Sequence, residues 1–333
     1  MRTSETIAWV LVAGCCAGHP NGETVATTAA VGERPAAVER PATEEFVVID
    51  LEEAGRRLWP RPGPTAYGPA SVEEQAALGR LIGRMLTEEV GPSGLAVDAR
   101  AAGYVVEGWV LGGQRVLVAV EGVKRGGGAY LVRVGSTSPV ILQAPHAFFD
   151  LGTERIALAM FAAEKGWPRA LFVNTIHRYV GVDGVKLVQD NAPADPCHNP
   201  EHLFNYATKA ALVAVKRAEV VQLHGFGEGE GLEFAAIVSA GLPRATERSR
   251  AVATALRGVL GSVALYPEDT DKLGAQSNEQ KRAMQAIDAM DGPGEGTARG
   301  FVHVELSAAA RQQLRGDEQL RGRVAAALRA PGS

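Results

Sequence analysis

Four segments of this chain bring histidine and acid together where strands or helices end, which is where metal chemistry is usually built. "VILQAPHAFFDLGTERIALAMF" (140–161) sets His146 at the end of an apolar run, with Asp150 and Glu154 close behind. "EVVQLHGFGEG" (219–229) ends a second run on His224, and "FVHVELSAAAR" (301–311) carries His303 and Glu305. Catalytic zinc commonly takes three protein ligands from His and Asp/Glu and keeps a position open for water. His146, Glu154 and His224 are the expected ligands, with Asp150 as the alternative to Glu154. Two-residue alternation puts His303 and Glu305 on one face of a strand. Glu305 is the expected general base toward a metal-bound water. The fourth segment, "LFVNTIHRYVGVD" (171–183), offers Asn174, His177 and Arg178 as substrate-binding groups. A guanidinium can hold a carboxylate through two parallel hydrogen bonds.

Each assignment has a plainer alternative. A strand-end histidine can be a hydrogen-bonded structural residue, and Asp150 and Glu154 can serve the N-terminus of a helix, where acids are favoured. Glu305 can pair with an arginine such as Arg311, and Arg178 can form a surface ion pair. His198 and His202 in "CHNPEH" are four apart, but Pro200 between them favours a loop or helix start, so they rank second as ligands. Cys197 reads as structural.

The elements that must position these groups are legible from periodicity. From residue 139 onward, apolar runs of strand length ("PVILQAP", "ALFVNTI", "EVVQLHG", "FAAIVSAG", "SVALYP", "FVHVEL") alternate with helical stretches at 154–165, 203–217, 246–259 and 278–290. This indicates an α/β fold with a mainly parallel or mixed sheet covered on both faces. In such sheets the active site lies beyond the strand ends. Residues 71–89 read as a helix with Ser71 as cap and Glu74 three residues later. "GYVVEGWVL", "QRVLVAVEGV" and "AYLVRVG", separated by glycine-rich turns, suggest an antiparallel meander. Residues 45–136 thus form a small α+β domain or an extension of the main sheet, ahead of a catalytic domain at 137–333.

The N-terminus reads as an address. "MRTSETIAWVLVAGCC" has a short apolar stretch, and Val12-Ala13-Gly14-Cys15 resembles a bacterial lipobox, so residues 1–15 are expected to be a lipoprotein signal with Cys15 as the lipidation point. Residues 16–44, rich in Ala, Pro, Thr and Glu, are expected to be a disordered tether. This implies an exported, membrane-anchored lipoprotein of the periplasm or outer membrane. A composition 46% hydrophobic and 22% charged is that of a globular protein, and a net charge of −4 with scattered Lys and Arg gives no case for a nucleic-acid partner. Three cysteines without a CxxC pair exclude a thiolate-rich metal site.

Residues 139–312 resemble zinc-dependent amidohydrolases of two kinds. In cell-wall N-acetylmuramoyl-L-alanine amidases a strand-end histidine precedes a glutamate that opens a helix, like His146 and "TERIALAMF". A second histidine ends a later strand, like "VVQLHGF", and a last strand carries the catalytic glutamate, like "FVHVELSAAAR". "PHAFFD" and "NTIHRYV" are nearer to N-formylglutamate amidohydrolases, and "GTERIA" is similar to a segment of phage-type poly-γ-glutamate hydrolases. The chain departs from the cell-wall amidases in having "QAPHAFF" for their glycine-rich turn, a shorter spacing from His146 to Glu154, and "GFGEG" after His224. The resemblance implies a phosphorylase/hydrolase-like fold, zinc as cofactor, and cleavage of an amide in an N-acyl amino acid or a peptidoglycan stem peptide. The alternatives are a non-catalytic envelope lipoprotein that keeps the fold and a carboxypeptidase-like zinc enzyme.

Overall fold

The Ser71 signal becomes a complete capping box. In the computed structural model Ser71 accepts from Glu74 N and Glu74 reaches back to Ser71 N at 2.8 Å, opening helix α2 (Val72–Thr87). Its Leu78, Leu81, Ile82 and Met85 are buried on one face, as the spacing requires. The structure describes residues 45–60, 63–187, 192–227, 231–291 and 300–329, all within the unit Pro41–Ser333. The expected signal peptide with Cys15 and the tether at 16–44 lie outside these residues. Among the described residues, no helix is long and apolar enough to cross a membrane.

The remaining helices are α1 (Leu51–Leu58), α3 (Pro92–Ala101), α4 (Thr153–Ala163), α5 (Leu203–Ala214), α6 (Glu247–Leu260), α7 (Glu279–Asp291), α8 (Ala308–Gly316) and α9 (Glu318–Leu328). The strands are β1 (Phe46–Val48), β2 (Tyr104–Leu111), β3 (Gln114–Glu121), β4 (Ala129–Arg133), β5 (Val140–Ala144), β6 (Ala170–Val173), β7 (Glu219–Phe226), β8 (Ala236–Ser239), β9 (Val263–Leu265) and β10 (Gly300–Ser307). They form one mixed sheet in the order β1-β2-β3-β4-β6-β5-β7-β10-β8-β9. The central run β6-β5-β7-β10 is parallel. The meander β2-β3-β4 is antiparallel and joins this run through an antiparallel β4–β6 pair. Residues 45–136 therefore contribute four strands to the same sheet.

Each face of the sheet carries its own apolar core, one under α1, α4, α6, α8 and α9 and the other under α2, α3, α5 and α7. The central strands are buried on both sides, which is why β5 and β6 read as continuous apolar runs. β10 differs. Val302, Val304 and Leu306 enter the first core, while His303 and Glu305 point to the other side. Full burial of each aliphatic chain stabilises by about 1.5–3 kcal/mol. A one-residue slip of β10 would exchange the two sets, so the core fixes which side Glu305 faces.

Candidate metal centre and its cavity

β5, β7 and β10 lie side by side in parallel, and their C-terminal ends open together. His146 follows β5 by two residues, His224 lies in β7, and Glu305 of β10 is the register partner of His224. After β5 the chain makes a tight turn in which the amides of Phe149 and Asp150 both donate to His146 O, at 3.0 and 2.9 Å. That turn returns Asp150 beside His146. Gly152, at φ 94°, then opens α4, and the left-handed backbone there favours glycine.

Three donor atoms converge. His146 Nδ1 and His224 Nδ1 are 3.1 Å apart, and Asp150 Oδ2 lies 3.3 Å from the first and 3.2 Å from the second. All three residues are buried. Asp150 Oδ2 accepts no hydrogen bond although it is out of water, which is costly unless another partner is provided. A tetrahedral zinc with bonds of about 2.0–2.1 Å holds neighbouring ligands about 3.3–3.4 Å apart. The donor set fits zinc in type, charge and spacing. Two looser groupings, His146/Cys197/His224 and His224/His303/Glu305, have donor atoms within 4.8 Å of one another. The Asp150 set is the tighter one, and it alone includes the orphaned oxygen.

Outer partners fix both imidazoles. Asp195 Oδ1 lies 3.1 Å from His146 Nε2 and also accepts from Cys197 N at 2.9 Å. With Asp195 ionised, Nε2 holds a proton, and loss of the proton on Nδ1 would leave a lone pair there for a ligand bond. His224 Nε2 lies 3.3 Å from Gln222 Oε1, which also accepts from Asn278 Nδ2 at 2.9 Å. Gln222 Nε2 donates to Gln143 and Gln280, tying β5, β7 and α7 into one buried amide network.

The charges follow from this packing. Burial pushes His224 down to about 4, helped by His303 and His146, so its imidazole is neutral. Burial also acts to lower His146, but Cys197, Asp195 and Asp150 outweigh it and hold His146 well above its ordinary value. Burial opposes ionisation of Asp150 and Asp195. For Asp150 the two metal-site histidines outweigh it, and for Asp195 His146, His198 and Arg178 do, so both carboxylates stay far below the usual range.

A cavity of about 450 Å³ stands over this cluster, lined by His146, Asp150, Arg178, His224, His303 and Glu305 among others. Glu305 Oε1 lies 3.0 Å from His303 Nε2, not beside Arg311. Arg311 instead donates to the carbonyls of Leu151, Phe226 and Leu306, clamping the ends of β7 and β10 to the metal-site turn. Gly225 lies beneath it, and a Cβ there would fall 1.9 Å from the Arg311 guanidinium, so a side chain would displace this clamp. Arg178 pairs with Asp195 at 2.5 Å, lies 3.3 Å from His146 Nδ1, and stacks its guanidinium against Phe149 and Tyr179. It is held at the cavity edge in a posture suited to a carboxylate.

Three expected residues are not in the cavity lining. Glu154 is the main correction. It turns back to accept from Gly152 N at 3.1 Å, serves the start of α4, and has its pKa raised by burial. The eight residues from His146 to Glu154 place the latter beyond the turn, and it is Asp150 that lies beside the two imidazoles. Asn174 is a buried brace, accepting from Thr175 N and donating to Ala194 O. His177 packs beside Phe149 and accepts from Tyr179 N. His198 bridges Asp195 and Ser277 at the cavity wall, whereas His202 caps α5 through Phe204 N. Asp195 and Gln222 went unrecognised. Asp195 sits in "PADP", an irregular segment with no period, and only its nearness to "CH" hinted at a role.

No protein-family model and no curated protein sequence matches this chain. Among solved structures it is similar to an N-formylglutamate amidohydrolase from Ralstonia eutropha JMP134, at 14% identity over 59% of this chain and 96% of that one, with a TM-score of 0.36. It is also similar to an aspartoacylase family protein from Mesorhizobium loti MAFF303099, at 11% identity over 67% of each chain, with a TM-score of 0.33.

Proposed function

We propose that this chain is a zinc-dependent hydrolase that cleaves an amide bond in an N-acyl amino acid or a peptidoglycan stem peptide. The observation that carries this reading is the 3.1–3.3 Å triangle of His146 Nδ1, Asp150 Oδ2 and His224 Nδ1, with Glu305 aligned with His224 on the neighbouring strand. When bound, zinc supplies Lewis acidity that lowers the pKa of water toward about 7 and polarises a carbonyl. Asp195 and Gln222 keep the two ligating imidazoles in the correct tautomer and orientation. Glu305 takes a proton from the attacking water and delivers it to the leaving nitrogen, with His303 Nε2 orienting its carboxylate. Arg178 receives the substrate carboxylate and so sets which amide is presented. The same arginine also suits a carboxypeptidase-like reaction, which shares the site and differs in which bond is cut, and the released product tells the two apart.

The proposed setting is the bacterial envelope, with lipid attachment at Cys15. This rests on residues 1–44 of the sequence. The test is the metal content of the chain lacking residues 1–16, beside His146→Ala and His224→Ala, followed by hydrolysis of N-acyl amino acids and muropeptides by Glu305→Gln. About one zinc per chain, lost in both histidine variants, with hydrolysis abolished in Glu305→Gln, is expected. Hydrolysis that survives Glu305→Gln would refute the mechanism.

A further inference from the structure

A second set of reactive groups shares the cavity wall with the metal cluster. His198 and Ser277 both line the cavity, and the carboxylate behind them is that of Asp195. His198 Nδ1 lies 3.1 Å from Asp195 Oδ2, and His198 Nε2 lies 3.2 Å from Ser277 Oγ. Asp195 Oδ2 also receives the Arg178 guanidinium at 2.5 Å, so it is an acceptor at this point. The proton of a neutral His198 therefore sits on Nδ1, and Nε2 offers its lone pair to the Ser277 hydroxyl. A hydroxyl about 2.6–3.2 Å from a base, with the base oriented by a third group, is the arrangement that activates a serine.

Both segments are braced. The amides of His198 and Asn199 donate to Asp195 O at 3.2 and 2.9 Å, a turn that folds His198 back toward the Asp195 side chain. Glu279 N donates to Cys197 O at 3.0 Å and Gln280 Nε2 to Pro196 O at 2.7 Å. These bonds pin the start of α7 to that turn and so hold Ser277 beside His198. The Ser277 hydroxyl is not spent on capping α7, because Asn278 Oδ1 takes the Lys281 amide at 3.1 Å. Burial runs in the direction such a relay needs. Asp195 is out of water, the His198 side chain is 23% exposed, and Ser277 is exposed. Ser277 also stands two residues ahead of Glu279, at the end of α7 where the helix dipole favours negative charge.

We propose that Ser277, His198 and Asp195 form a second hydrolytic centre in this cavity, one that cleaves carboxylic esters through an acyl-serine. Ser277 Oγ bonds to the acyl carbon while its proton passes to His198 Nε2, and the ester carbon–oxygen bond breaks. His198 gives that proton to the departing alkoxide, which leaves as an alcohol. A water then bonds to the acyl carbon and yields a proton to His198, and Ser277 Oγ departs, recovers the proton and releases the acid. An ester suits this centre better than an amide, because an alkoxide departs more readily than an amide anion. Arg178 stands 3.4 Å from His198 Nδ1, and the carboxylate they share offsets the charge that His198 gains. Asp195 thus serves both centres, through Oδ1 to His146 and Oδ2 to His198.

Diisopropyl fluorophosphate added to the full zinc-loaded chain tests this, because an activated hydroxyl displaces fluoride from phosphorus and an ordinary serine does not. About one diisopropylphosphoryl group per chain, placed on Ser277 by peptide mass spectrometry, is expected. His198→Gln is expected to slow the labelling by about a hundredfold or more, the usual loss when a general base is removed, and Ser277→Ala to abolish it. Hydrolysis of p-nitrophenyl acetate is expected to fall in both variants. No label on Ser277, a label that forms as fast in His198→Gln, or ester hydrolysis unchanged in both variants overturns the proposal. Zinc measured on the same samples separates the two centres. Zinc bound without a label sinks the serine and leaves the metal hydrolase standing, and a label without zinc does the reverse.

Discussion

Replacing Asp150 with alanine and Glu154 with glutamine separates the two carboxylates that the sequence offers to a metal. Asp150 Oδ2 lies 3.3 Å or less from both Nδ1 donors and accepts no hydrogen bond, whereas Glu154 Oε2 is occupied by Gly152 N. Zinc bound by four ligands is held by roughly 10–16 kcal/mol, or about 3 kcal/mol per ligand. Loss of Asp150 should therefore weaken zinc by on the order of a hundredfold or more. Glu154→Gln keeps an oxygen for Gly152 N and should leave zinc affinity unchanged within error. Titration of apoprotein with zinc against a competing chelator at fixed pH reads both constants directly. Equal weakening in the two variants, or loss confined to Glu154→Gln, would refute the assignment of Asp150 and the view that an orphaned oxygen marks the ligand.

Asp195→Asn removes the carboxylate that orients His146, and loss of such an outer partner typically costs about 10–100-fold in metal affinity. The same chelator competition checks it, and an unchanged constant would show that Asp195 is not needed to orient His146. Because His146 is held above its ordinary value and must shed its proton to bind zinc, uptake near pH 7 should release about one proton per ion. Calorimetry in buffers of different ionisation enthalpy measures that release. Burial pushes His202 down to about 4 from 6.5, so the unfolded chain takes up a proton at a pH where the folded chain does not. The stability this provides is complete above about pH 6.5 and is lost as pH falls through 4, in all about 3 kcal/mol. Asparagine can keep the cap on α5, so urea midpoints of His202→Asn should fall less steeply between pH 7 and 4 than those of the natural chain. Parallel slopes would contradict this.

Local periodicity and capping carried much of the fold. The Ser71 box, the meander and the four helices expected after residue 139 all lie within a few residues of their expected bounds, whereas α8 and α9 were not foreseen. The order of strands was not legible. Nothing local tells β10 to lie between β7 and β8, since that depends on which faces fit across long separations. The site divides in the same way. His146, His224 and Glu305 sit at strand ends, where periodicity breaks off and a polar residue stands out. That Asp150 and not Glu154 lies beside the two imidazoles depended on a turn with a left-handed glycine, which spacing alone does not resolve. Asn174 and His177 look chemical by type, yet their hydrogen bonds are used internally. Asp195 was hidden because a loop residue reveals its role only through what it touches.

The insertion of β10 between β7 and β8 has a consequence for timing. A ribosome builds this chain from the N-terminus, and the three proposed ligands have been made by residue 224, whereas Glu305 follows about eighty residues later. Until β10 is complete, β7 and β8 each lack the neighbour that will separate them, and that half of the sheet has nothing to close upon. On the proposed reading, a nascent or truncated chain would hold the three candidate ligands without the base that would use them. On the proposed reading, the base would arrive only with the final strand, at the moment the sheet itself becomes whole.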